Sequence, residues 1–145
     1  MKADNPARHF AMAFLIALIG YVICYQSIQY WRTRKGPWEV TFSSSSNSAP
    51  SILVRQPRLG ITNVQIILEG HGSTNQTSTR IVFHQPRPVP YDVPFGSCVF
   101  MDTISLPGTV TFEMFGHVIE LLPRVLIIDR REYPWRSTST IHLEK

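Results

Sequence analysis

The chain has 145 residues, of which 43% are hydrophobic and 17% charged, and its formal net charge is +4. That length holds one ordinary domain, and that balance excludes a disordered tail while leaving enough apolar side chains for a core. Cys24 and Cys98 are too few for a disulfide scaffold, and no Cys/His cluster has the spacing of a structural zinc site.

The positive charge is not spread evenly. Residues 1–35 carry Lys2, Arg8, Arg32, Arg34 and Lys35 against Asp4 alone, while residues 36–145 carry nine cations and nine acids. The excess therefore flanks one apolar segment, as expected of a stretch beside anionic lipid headgroups. The globular part is balanced and shows no basic stripe in the sequence, which argues against nucleic acid as a partner.

After a short flank over residues 1–9, a transmembrane helix is predicted over 10–31. Phe10 to Tyr25 contains no charge, and Phe10 to Tyr30 is 21 residues, about 31 Å of helix and close to the hydrocarbon thickness of a bilayer. Tyr30 and Trp31 then fall at interface depth, with Arg32, Arg34 and Lys35 reaching the headgroups. Residues 32–37 form a basic linker closed by Gly36-Pro37. No small-residue cleavage site follows the apolar run, Ile23 before Cys24 does not suit lipidation, and no Glu marks a pilin-like leader, so an uncleaved anchor is expected. The cationic flanks nearly balance. The predicted orientation is amino terminus inside, with the Ser/Thr/Asn-rich domain outside the cytoplasm.

Ala13, Ala17, Gly20, Cys24 and Ser27 recur at spacings of 4, 3, 4 and 3, which places them on one helical face. A seam of small residues lets another helix approach closely in lipid, where no hydrophobic drive operates between helices. Gln29 is read as extending this side, and Gln26 adds an amide near the interface.

From residue 38 the apolar period changes to two, and residues 38–128 are predicted to form a small antiparallel β-sandwich. Strands are expected at 38–42, 52–54, 63–69, 79–85, 97–105, 109–115, 117–122 and 125–128. Residues 43–50 read as a Ser/Asn-rich loop, Pro86 to Pro90 as a polyproline-like surface connection, and 129–145 as a polar tail. The fold class is thus mainly β behind a single N-terminal transmembrane helix.

Ser51 to Arg58 resembles Arg80 to Arg87, sharing Ile, Gln, Pro and Arg at an offset of 29 residues. The plain reading is two strands that each leave a sheet at a Pro turn. The sharper one makes Arg58 and Arg87 a paired docking patch for carboxylates of a partner. Tyr133 and Trp135 are either partner anchors or residues that close the sandwich.

No catalytic constellation is evident. His117 and Glu120 are three apart on a strand and point to opposite faces, and Glu69 and His71 sit at a glycine turn. The chain lacks a G-x-S-x-G elbow, a Walker or dinucleotide glycine pattern, a haem-attachment motif and intramembrane charges. Cys98 reads as a small buried hydrophobe. No metal or cofactor is expected. The expected function is a non-catalytic accessory subunit of a larger membrane complex, for which a respiratory or photosynthetic assembly is one fitting host. Its expected partners are other membrane-protein subunits and the bilayer. The alternative is a membrane-tethered sandwich that binds a peptide or small ligand on a strand edge or the Pro-rich loop.

Overall fold

The computed structural model describes residues 6–33, 35–72 and 75–145, without the side chains of residues 32 and 33. The chain divides into two units, the first ending at Arg34 and the second beginning at Lys35. Helix α1 spans Pro6–Thr33, 28 residues, and Pro6 is tolerated there because a first-turn N–H has no intrahelical acceptor to lose. Its segment Pro6–Trp31 is long and apolar enough to cross a membrane, and none of its apolar window is buried.

The second unit is a two-sheet sandwich. The first sheet contains β1 (Trp38–Ser45), β2 (Ser48–Gln56), β3 (Ile61–Leu68), β4 (Thr77–Phe83) and β11 (Thr138–Leu143), in the order β11-β3-β2-β1-β4. The second is a meander of β5 (Tyr91–Val93), β6 (Gly96–Asp102), β7 (Thr109–Met114), β8 (His117–Leu121), β9 (Val125–Ile128) and β10 (Arg131–Pro134), hydrogen-bonded in sequence order. Period-two alternation sends Trp38, Val40 and Phe42 of β1, and Val110, Phe112 and Met114 of β7, into one shared core. Phe112 meets both Phe42 and Phe83 of the opposite sheet edge-on, with centroids 5.7 and 5.5 Å apart.

Three segments differ from the sequence expectation. Residues 43–50 are not a loop: β1 continues to Ser45 and β2 starts at Ser48. The inward hydroxyl of Ser44 donates to the Asn75 carbonyl, and Ser43 and Ser51 Oγ lie 2.9 Å apart across the pair, so serines serve here as strand residues. Second, Tyr91–Val93 forms a strand directly after the Pro-rich connection, which crosses from one sheet to the other. Third, the segment read as a polar tail carries β10 and β11. Strand β11 pairs in parallel with β3, from Thr138 opposite Asn63 to Leu143 opposite Leu68. It is a parallel pair in an otherwise antiparallel fold, and it buries Leu143.

The chain enters the sandwich through a clamped segment. Gln56 is 1% exposed. Its Nε2 lies 2.8, 2.8 and 3.1 Å from the carbonyls of Lys35, Gly36 and Pro37, and its Oε1 accepts the Arg58 N–H at 3.0 Å. Beside it, the buried Trp38 donates its indole N–H to the Gly108 carbonyl at 3.0 Å. Only glycine fits at 108, where φ is +67° and a Cβ would lie 1.8 Å from the Asp102 carbonyl oxygen. Replacing Gln56 with Leu keeps the side chain's bulk but takes away the two N–H donors that these three carbonyls share. Gln56→Leu is expected to cost about 2 kcal/mol, read as a lower unfolding midpoint of the full chain in detergent micelles; an unchanged midpoint would show that water takes over the carbonyls.

Candidate functional site

On the helix, about 100° per residue gathers Ala13, Ala17, Gly20, Cys24 and Ser27 into a sector about 80° wide. All five are exposed, and a Cβ added to Gly20 would meet nothing within 4 Å. Among the described residues, nothing packed on Gly20 requires that position to be small. Gln29 does not extend it: at that angular step it lies about 160° round from Ala13. Its amide instead donates to the Tyr25 hydroxyl one turn back, at 3.0 Å, and Tyr25 stacks on Tyr21 at 6.2 Å. This ladder gives the Gln29 amide and the Tyr25 hydroxyl a local partner, which lowers the cost of carrying them at the edge of an apolar span. Tyr30 and Trp31 are exposed at the end of the span, and Lys35 is exposed at the start of the β domain. The Arg32 side chain and Arg34 lie outside the described residues.

Arg58 and Arg87 fall at the same end of the first sheet. Arg58 sits in the 3-10 turn Pro57–Leu59 after β2, and Arg87 follows β4; these two strands flank β1 on either side. Arg87 lies over the Tyr91 ring, 4.9 Å from its centroid, and donates to that hydroxyl at 2.6 Å, so its guanidinium is held against the second sheet. Trp135 closes the sandwich: it packs against Trp38 at 5.2 Å and donates its indole N–H to the Leu122 carbonyl at 2.7 Å. Tyr133 is half-buried against the core.

Between the edge strands β10 and β11 the two sheets part and leave a cleft of about 430 Å³, lined by His117, Asp129, Arg131, Tyr133 and His142 among others. Two histidine–carboxylate pairs mark it. His117 Nδ1 is 2.6 Å from Asp129, whose other oxygen accepts the Val118 N–H at 2.9 Å. His142 Nδ1 meets Glu69 across the β3–β11 pair. Glu69 therefore does not share a site with His71, whose ring stacks on Phe115 at 4.1 Å. Among the described residues, no three His, Cys, Asp or Glu side chains come together in a way that would hold a metal ion. A smaller groove of about 290 Å³ runs beside Tyr133, Arg136 and Ile141.

These pairs do structural work. Asp129 and Arg130 form the two-residue β9–β10 turn, both at positive φ as a type I′ turn requires. Asp129 ties that turn back to the start of β8. Burial by itself would raise the Asp129 carboxyl. Hydrogen bonds from His117 and Val118, with the charges of His117 and Arg131, outweigh burial and hold it below its ordinary 3.8. Cys98, fully buried beside the bulge in β6, has its thiol pushed up by burial despite hydrogen bonding to Phe100 and Thr111, and so is poorly reactive.

The Gln56 clamp and the Asp129 tie were not singled out by the sequence reading, although both left a trace in it. Ile52, Val54 and Gln56 share the inward register of β2, and Asp129-Arg130 stands between two strands at turn spacing. Set against protein-family models, curated proteins and solved structures, the chain matches none.

A carboxyl held low when folded stabilises the fold above its unfolded value of 3.8 and loses that contribution as pH falls through the lower folded value. The unfolding midpoint of the full chain is expected to drop between about pH 4.5 and 2, and to drop less steeply in Asp129→Asn. Parallel curves would contradict the assignment. Arg130→Gly, which relieves a positive φ of 67°, is expected to stabilise by about 0.5–1 kcal/mol in the same melts.

Proposed function

We propose that this chain is a single-span, non-catalytic accessory subunit. Its helix packs among the helices of a larger membrane complex, and its β domain sits on that complex's face outside the cytoplasm. The observation that carries the reading is a 28-residue apolar helix whose large side chains, from Phe10 to Trp31, are all exposed. Such a helix needs lipid around it, and its one sector of small residues suits a neighbouring helix rather than acyl chains. The β domain supports an assembly role because its acid–base pairs are spent on tying turns and strands, as at Asp129 and Glu69. An energy-converting assembly is one host of the right kind.

A second reading has a specific observation in its favour. The cleft and groove beside the free edge of β11 would admit an extended peptide or small ligand, making the domain a membrane-tethered binding module. The two readings separate in one experiment. In mild detergent, an accessory subunit is expected to migrate with other membrane proteins, and Ala17→Leu with Gly20→Leu to release it while the unfolding midpoint of the β domain stays unchanged. A tethered binder runs alone, is indifferent to those substitutions, and loses ligand on Ile141→Glu. A chain that migrates alone with its helix seam intact contradicts the accessory reading.

A further inference from the structure

The charges of residues 36–145 sum to zero, but the fold separates them. Strand register sets which connections share an end. Trp38 pairs with Phe83, Gln56 with Ile61, Asp102 with Thr109, Leu121 with Leu126, and Pro134 with Val125. Segments 35–37, 57–60, 84–90, 103–108, 122–124 and 135–137 therefore meet at the end where the chain enters, and the contacts of Trp38 with Gly108 and Trp135 join the two sheets there. These six segments carry Lys35, Arg58, Arg87, Arg124 and Arg136 and no acid. The connections at the opposite end carry Glu69, Asp129 and Glu144 against Arg130 and Lys145.

Two further features mark the entry end. Ile104, at the tip of the β6–β7 loop, is 68% exposed, the most exposed large apolar side chain of the β domain among the described residues. The loop that presents it is shaped locally: Asp102, the acid nearest this end on the second sheet, accepts the Ile104 N–H at 2.9 Å. Seven of the chain's eleven prolines also lie in these six segments, which restricts the loops to few conformations. Chain length bounds the distance to the span, since the four steps from Trp31 to Lys35 reach at most about 14 Å.

We propose that the entry end of the β domain is a membrane-surface contact, in which Lys35, Arg58, Arg124 and Arg136 engage the phosphates of anionic lipids and Ile104 enters the headgroup layer. The inference rests on the single-span reading and adds to it a lipid preference and a resting face. Cations interspersed with an apolar tip, with Asp102 as the one carboxylate bonded into that loop, are the composition that anionic interfaces bind. An acidic protein face is the competing occupant. The experiment that follows separates the two.

The test uses the full chain carrying Cys24→Ser and Ile104→Cys, purified alone and placed in lipid nanodiscs, with Cys98 left buried. Alkylation by a membrane-impermeant maleimide is followed in phosphatidylcholine discs and in discs with about 30% phosphatidylglycerol. The rate at position 104 is expected to fall about fivefold or more in the anionic discs and to recover in about 0.5 M salt. Asn47→Cys, at the opposite end, should react equally in both. Combining Arg58→Gln, Arg124→Gln and Arg136→Gln should abolish the lipid dependence. Equal rates at 104 in discs that have both taken up the chain overturn this inference alone. So does protection that appears only when co-purifying proteins are retained, which assigns the face to a protein. A chain that enters neither disc overturns the single-span reading and this inference with it.

Discussion

A helix that is apolar over a membrane's thickness and carries its large side chains exposed constrains everything else about this molecule. Fourteen large apolar or aromatic side chains of α1, among them Phe10, Phe14, Ile16, Ile23 and Trp31, stand exposed. At about 1.5–3 kcal/mol for each such side chain removed from water, leaving them wetted would forgo on the order of 20–40 kcal/mol. The core of the β domain is filled by its own two sheets.

The sandwich fixes the segment by which the chain enters it with buried polar groups rather than apolar packing alone. Gln56 holds the carbonyls of Lys35, Gly36 and Pro37, and the indoles of Trp38 and Trp135 each hold a loop carbonyl from the second sheet. Buried donors of this kind specify one arrangement, since any slip leaves a carbonyl unpaired. The point where the chain enters the sandwich is therefore part of the core, and the cationic connections around it are displayed on a rigid base.

Much of this was legible in the sequence, and the exceptions have physical reasons. The helix was plain because it needs only a long apolar run. Strands such as Thr109–Met114 were plain because Val, Phe and Met alternate with Thr and Glu. The serine strands and β11 were missed for one reason: in Ser43-Ser44-Ser45 and Thr138-Ser139-Thr140 small hydroxyl residues occupy inward and outward positions alike, so burial leaves no apolar signature. The pairing of His117 with Asp129 and of His142 with Glu69 depends on register between strands, which one-dimensional spacing does not contain. The charge separation was hidden similarly: a balanced composition conceals that five cations sit on connections sharing one end. Trp135 had two readings in the sequence, and its contact with Trp38 gives the closing one a physical basis.

The claim on which all of this turns is that α1 stays attached and lives in lipid. Intact-mass measurement of the chain from cell membranes washed in alkaline carbonate addresses it most directly. The account predicts material that remains in the membrane pellet at the full 16.6 kDa. A carbonate-soluble chain that has lost its first thirty or so residues would show that the apolar helix is a leader removed on export, leaving a free β-sandwich with no span to serve.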